Sequence, residues 1–243
     1  MQTLSFTSNG RTLNATIFLP TQPKEKSPAV LFIHGWTSEQ KRSFRYAEEL
    51  AKLGYISFLF DMSGHGSSDG DINTITSVEF LADCKEAYSQ LLRIPNVDKE
   101  KIYAVGSSFG GYLVALLSNQ VTLTGVVLRV PADYPDGTEN QPKSITGGDV
   151  PEIAEWRKKI KPFEKSAALR AIHSFNGNVL VIESELDAQV PHETVQSYAN
   201  AVSDQSKLTH VVMKNAPHSI KEGPFKEEVC SILTRWFRNQ LTQ

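Results

Sequence analysis

The segment Gly106-Ser107-Ser108-Phe109-Gly110 places a serine midway between two glycines, a G-x-S-x-G spacing centred on Ser108. A serine hydroxyl is a poor nucleophile at neutral pH. It reacts when a neighbouring base takes its proton and a third group orients that base. The oxygen must also stand clear of the main chain, and a sharp strand-to-helix turn achieves this by crowding its own neighbours. Small residues two positions to either side relieve that crowding. Lys101–Val105 reads as a strand and Phe109–Asn119 as a helix, so the turn falls on the serine. Ser107 is a second candidate, off the centre of the spacing. The chemistry on offer is attack on an acyl carbonyl.

Such a serine needs a base, an acid and a site for the negative charge that develops on the carbonyl oxygen. Six histidines are available. His34 ends a strand and His65 lies in a turn. His192 and His210 fall inside elements, and His173 lies in an irregular region. His218, in Met213-Lys-Asn-Ala-Pro-His218-Ser219, sits in a loop directly after a C-terminal strand, from which it can overhang a sheet. The acid should come between serine and base on another loop that follows a strand. Asp187, in Glu183-Ser-Glu-Leu-Asp187-Ala-Gln-Val-Pro191, meets that condition. Asp133, in Val130-Pro-Ala-Asp133-Tyr134, competes with it, because an acid there would reach the same histidine. Backbone N–H groups are the expected donors to an oxyanion. The candidates are Phe109, next to the serine, and Trp36, in Ile33-His-Gly-Trp36-Thr-Ser38; the indole of Trp36 is then free to wall an acyl pocket.

The elements that must hold these residues follow a regular alternation. Residues 3–8 and 11–19 read as strands around Asn9-Gly10, a strong hairpin signal. Ala29–Ile33 and Tyr55–Phe60 are continuous apolar runs of strand length, as strands buried on both faces would be. Between them Phe44, Ala47, Leu50, Ala51 and Leu53 follow helical spacing, and Gly54 stops the helix. Residues 76–92 read as a helix and Leu123–Val130 as a strand. Residues 131–173 break the rhythm with Pro, Gly, Asp and Thr, then turn helical at Glu152–Ile160 and Phe163–Ala171. Strand, helix, strand and helix resume at 179–183, 192–202, 208–213 and 225–240. This alternation behind an antiparallel start predicts an α/β protein with a mostly parallel sheet of about eight strands and helices on both faces. Ligands bind at the carboxyl ends of such strands, where all the candidate residues fall.

Length and composition narrow the function classes. The chain has 243 residues, which suits one α/β domain over 1–243, and a net charge of −2. That charge gives no electrostatic reason to expect nucleic acid or an anionic membrane as partner. No apolar stretch approaches the ~18 residues of a membrane span, and the N-terminus lacks a signal-peptide core. The two cysteines, Cys84 and Cys230, make neither a disulfide framework nor a zinc site. A cytoplasmic location is the default expectation.

Taken together, the motifs resemble the α/β-hydrolase superfamily over essentially the whole chain. The resemblance rests on His34-Gly35-Trp36, Asp61-Met-Ser-Gly64-His65-Gly66-Ser67-Ser68, Gly106-Ser-Ser108-Phe-Gly110, Leu186-Asp187 with Val190-Pro191, and Pro217-His218. It implies Ser108 as nucleophile, Asp187 as acid, His218 as base, and Trp36 and Phe109 as oxyanion donors. It implies hydrolysis of a small-molecule ester through an acyl-enzyme, without metal or organic cofactor. The start at His34 and the short insertion look most like the esterase, acylglycerol-lipase and feruloyl-esterase-like branches. Asp61–Ser68 is read as a structural turn beside the site. Residues 131–173, between the sixth and seventh strands, correspond to the superfamily's variable cap. Tyr134 and Trp156 there, and Arg129 at the end of the sixth strand, are the candidate substrate contacts. The basic residues Arg157, Lys158, Lys159, Lys161 and Lys165 are read as a solvated helix face.

Overall fold

Strands with apolar side chains at every position need cover on both sides, and the molecule supplies it with helices on each face of one sheet. The computed structural model describes residues 1–22, 24–147 and 150–242. The strands are β1 (Gln2–Ser8), β2 (Arg11–Phe18), β3 (Ser27–Ile33), β4 (Ile56–Phe60), β5 (Val97–Ser107), β6 (Gly125–Arg129), β7 (Asn178–Leu186) and β8 (Leu208–Pro217). They form one eight-stranded sheet in the order β1-β2-β4-β3-β5-β6-β7-β8. β1 and β2 are an antiparallel hairpin and β2 pairs antiparallel with β4; every other pairing is parallel.

The period of two along each strand assigns its side chains to two cores. In β3, Ala29, Leu31 and Ile33 enter one core, while Val30 and Phe32 enter the other. In β7, Val179 and Val181 divide from Leu180 and Ile182 in the same way. One core is closed by α1 (Phe44–Leu53) and α7 (Pro224–Gln240), through Ala47, Leu50, Val229, Leu233 and Phe237. The other is closed by α2 (Ser77–Leu91), α3 (Phe109–Leu117), α5 (Ala167–Ser174) and α6 (His192–Ala201). Each such buried Val, Leu, Ile or Phe contributes roughly 1.5–3 kcal/mol relative to exposure, so the two-sided burial dominates the drive to form the sheet. Among the described residues no helix is long and apolar enough to cross a membrane.

The insertion between β6 and β7 contains α4 (Pro151–Arg157) and α5. Residues 148 and 149 within it lie outside the described residues. The sequence pattern predicts a helix over 163–171, but Phe163–Lys165 forms a 3-10 turn and α5 starts at Ala167. The Ser166 hydroxyl accepts the Leu169 N–H and caps α5 there. Because the central strands are parallel, the loops after β3, β5, β6, β7 and β8 emerge on one edge of the sheet.

Candidate active site

The turn from β5 into α3 holds Ser108 at φ 54°, ψ −118°. A non-glycine residue at positive φ of this kind carries a strain of about 1–3 kcal/mol, held only where the surroundings over-determine it. Here they do. The Ser108 N–H donates to the Arg129 carbonyl at 2.9 Å, and its carbonyl accepts from Gly111, Tyr112 and Ala132 N–H at 2.9, 3.2 and 3.1 Å. The flanking glycines are needed because the turn folds the chain onto itself. A Cβ on Gly106 would stand 2.5 Å from the Gly110 carbonyl carbon, and one on Gly110 would stand 2.5 Å from the His34 carbonyl oxygen.

The pairing of β7 with β8 positions two further groups. After a register shift the ladder ends on the rung Leu186–Pro217, and the next residues are Asp187 and His218. His218 Nδ1 donates to Asp187 Oδ2 at 2.6 Å, and His218 Nε2 lies 3.1 Å from Ser108 Oγ. A carboxylate only accepts, so the proton sits on Nδ1 and Nε2 is left to accept the serine O–H. The second carboxylate oxygen of Asp187 accepts the N–H groups of Gln189 and Val190, both at 2.8 Å. The side chains of Asp187 and His218 are 2% and 12% exposed, so the acid is sealed while the imidazole still meets the surface. Ser108, His218 and Asp187 are thus brought together. Ser107 instead accepts a hydrogen bond from the Arg129 guanidinium at 2.9 Å.

Asp133 does not join them. It is fully buried under the insertion, accepting from the Ser166 hydroxyl at 2.7 Å and the Trp156 indole N–H at 2.9 Å, with Lys161 Nζ at 4.0 Å. Burial pushes its carboxyl above the usual carboxylate range, opposed by the hydrogen bond from Ser166 and the charge of Lys161.

Trp36 and Phe109, the oxyanion donors expected from the sequence, lie in two segments that border Ser108. Phe109 is the first residue of α3, where no preceding turn offers its N–H a carbonyl. Trp36 lies in the loop after β3, and its ring packs edge-on against Phe109 at 6.0 Å and Phe80 at 5.7 Å. The Asp61–Ser68 turn supports this loop from beneath. His65 Nε2 accepts the Thr37 N–H at 3.2 Å, Asp61 accepts the Gln40 N–H at 2.8 Å, and His34 Nε2 accepts the Met62 N–H at 3.0 Å. Burial, then the neighbouring His65, lowers the His34 pKa from 6.5 to about 4; burial also lowers that of His65. Both rings are therefore neutral acceptors at neutral pH. The sequence placed His34 at a strand end and His65 in a turn, but did not reveal this bracing role.

A cavity of about 820 Å³ opens over Ser108 and His218. Trp36, Tyr46, Ile220 and Arg129 line it with part of their surface open, and the buried Val105, Val127, Ile182 and Leu233 lie behind them. Tyr134 and Trp156, expected to contact substrate, do not line this cavity. Tyr134 is buried, edge-on to Tyr112 at 4.8 Å with the Arg157 guanidinium 4.8 Å from its ring. Trp156 is held by its bond to Asp133. Both pack the insertion onto the sheet edge.

The basic residues after α4 also depart from a uniformly solvated face. Lys158, Lys159 and Lys165 are exposed, but Arg157 and Lys161 are buried. Arg157 donates to the carbonyls of Asp133 and Gln189 at 3.3 and 3.2 Å, which ties α4 to the loop carrying Asp187. Lys161 donates to the carbonyls of Trp156 and Lys159 at 2.9 and 2.8 Å. Spacing alone could not reveal that these cations satisfy buried carbonyls. Among the described residues no group of three or more His, Cys, Asp or Glu side chains converges to hold a metal ion.

Comparison with known proteins gives consistent relatives. The family model described as serine aminopeptidase, S33, matches residues 24–147. The mitochondrial palmitoyl-protein thioesterase ABHD10 of Bos taurus is 34% identical over 220 residues, covering 82% of this chain and 69% of that protein. The quorum-quenching protein AidA of Acinetobacter baumannii (strain MDR-ZJ06) is 26% identical over 137 residues, 55% of this chain, and this chain spans 44% of it. Est1E of Butyrivibrio proteoclasticus, solved with ferulic acid bound, superposes with a TM-score of 0.76 at 19% identity, over 99% of this chain and 100% of that one. That last likeness is one of fold.

Proposed function

Because the chain belongs to the α/β-hydrolases, in the family described as serine aminopeptidase, S33, we propose that it is a serine hydrolase cleaving carboxylic esters of small to medium acyl or aromatic acids. The observation that carries this reading is the chain of contacts from Asp187 through His218 to Ser108, at 2.6 and 3.1 Å, opening on one cavity.

In this reading Ser108 Oγ attacks the ester carbonyl while His218 Nε2 takes its proton. Asp187 holds the imidazole in the tautomer that can accept and stabilises the imidazolium that forms. The N–H groups of Trp36 and Phe109 receive the developing oxyanion, each worth roughly 3–4 kcal/mol in the barrier. The alcohol leaves with the proton from His218, and an acyl group remains on Ser108. Water then attacks the acyl-enzyme with His218 as base, which returns the free serine and releases the acid. Residues 131–173 act as a cap that buttresses the Asp187 loop through Arg157. The half-buried Trp36, Tyr46 and Ile220 at the cavity wall offer apolar surface to an acyl or aromatic group.

A second reading, thioester cleavage by the same groups, is supported by the relative named as a palmitoyl-protein thioesterase, which aligns over 82% of this chain. One panel separates the readings: 4-nitrophenyl esters of increasing acyl length, matching acyl thioesters, and aminoacyl 4-nitroanilides, each run beside Ser108→Ala. Ester turnover that falls at least about a thousandfold in the variant is expected. Full retention of turnover in Ser108→Ala refutes the assignment. A wild-type preference for thioesters or anilides over matched esters replaces the ester reading with the corresponding alternative.

A further inference from the structure

The cavity over Ser108 carries more positive than negative charge, although the whole chain is at −2. Arg42, Arg129 and Lys221 line it, against the single carboxylate of Glu39. Glu39 lies 3.7 Å from Lys41. Among the described residues no carboxylate comes within 4.0 Å of any of the three lining cations.

Arg129 is the one that stands inside. It ends β6, the strand next to the one that delivers Ser108. One terminal nitrogen donates to Ser107 Oγ at 2.9 Å, the other to the His218 carbonyl at 2.7 Å, and its buried Nε donates to no protein group. Those two acceptors are neutral, so they hold the guanidinium in place without cancelling its charge. Two acidic groups bear on it, the Tyr46 phenol first and then the Asp187 carboxylate. Burial pushes the phenol up to about 12, so it is uncharged at neutral pH, and Asp187 acts only through space, its oxygens bonded to His218, Gln189 and Val190. A partly buried cation with no carboxylate in direct contact is costly. Here the cost is borne at a cavity wall, directly beside the reacting serine. Arg42 and Lys221 are exposed at the rim of the same cavity, where they add an attractive field for an arriving anion.

We propose that the substrate is an anionic ester whose carboxylate is held by Arg129, with Arg42 and Lys221 steering it in. One guanidinium at the cavity wall matches a monoanion: each terminal nitrogen keeps a second N–H beyond its bond to Ser107 or His218, and a carboxylate accepts such charge-assisted bonds. The half-buried Trp36, Tyr46 and Ile220 take the apolar remainder of the substrate. The bound carboxylate also offsets the field of Arg129 on His218 when the imidazole becomes charged. This inference rests on the serine ester-hydrolase reading.

The test uses matched pairs. Mono(4-nitrophenyl) glutarate against 4-nitrophenyl pentanoate places the charge on the acyl side; 4-carboxyphenyl butyrate against phenyl butyrate places it on the leaving side. For at least one pair, kcat/KM of the anionic member should exceed that of its neutral match by on the order of tenfold to a hundredfold. The ratio should shrink as ionic strength rises. Arg129→Met should bring the ratio to about one. In the double variant Arg42→Gln, Lys221→Gln the ratio should fall and its salt dependence should flatten, which carries the test if Arg129→Met does not fold. Ratios at or below one for both pairs in the wild type overturn the inference. So does a ratio that survives Arg129→Met, an equal loss for both members of a pair in that variant, or an unchanged ratio in the rim variant. A wild type that cleaves neutral esters without anionic preference sinks this inference and leaves the hydrolase reading standing. A wild type that turns over no ester and takes no fluorophosphonate on Ser108 sinks both.

Discussion

Replacing Asp187 by Asn changes one atom and should abolish most turnover, for a reason written in its hydrogen bonds. One carboxylate oxygen accepts two main-chain N–H groups, from Gln189 and Val190, at 2.8 Å each. In Asp187→Asn the amide oxygen must keep that place, because turning the NH2 toward two donors would leave both unsatisfied at about 1–3 kcal/mol apiece. The NH2 then faces His218 Nδ1, which must accept instead of donate. The ring proton moves to Nε2, and Nε2 can no longer take the proton of Ser108. The same substitution in other serine triads lowers kcat by about 10⁴, or about 5.5 kcal/mol in the barrier. The loop keeps its main-chain bonds, so the melting temperature should stay within a few degrees of wild type. Steady-state hydrolysis of 4-nitrophenyl butyrate reads the rate, and nitrogen NMR of the His218 ring reads the tautomer. A folded variant within tenfold of wild type, or one whose ring proton remains on Nδ1, would refute the reasoning.

Asp133→Asn is the counterpart. It should lower stability by about 1–3 kcal/mol in urea titration through its bonds to Ser166 and Trp156, while turnover changes by less than tenfold. A loss of turnover as large as that of Asp187→Asn would move the acid to Asp133. Gly110→Ala drives a Cβ against the His34 carbonyl and should cost about 3 kcal/mol or more, seen as loss of soluble protein or a lower urea midpoint; wild-type stability would show that the elbow can open. His34 is neutral when folded, with its pKa lowered to about 4 by burial, while the unfolded chain titrates near 6.5. Its contribution is therefore complete above pH 6.5 and is lost as pH falls toward 4, by about 3 kcal/mol in all. Urea titrations of wild type and His34→Gln between those limits should differ in slope, the variant being flatter; identical slopes would contradict the neutral, buried ring.

Much of the architecture is legible in residue order alone. Continuous apolar runs such as Ala29–Ile33 and Tyr55–Phe60 announce strands covered on both faces, since no half-exposed strand can afford them. The glycines around Ser108 announce a turn too tight for a Cβ, a local steric demand that any folded context must meet. The order of post-strand loops also places Ser108, Asp187 and His218 on one edge, because parallel strands all finish there.

The directions of individual side chains belong to the tertiary structure. Tyr134 and Trp156 look like pocket residues by type and place, yet they turn to Tyr112 and Asp133. Arg157 and Lys161 look like a wet helix face, yet they satisfy carbonyls beneath the insertion. Such choices depend on which buried acceptors lack a partner, and those acceptors come from segments distant in sequence. The shift in register that ends the β7–β8 ladder on Leu186 and Pro217 is of the same kind. Local spacing sets which residues reach the sheet edge. Only packing across the whole chain decides which of them face the cavity, because desolvation and hydrogen-bond satisfaction are settled between elements and not within them.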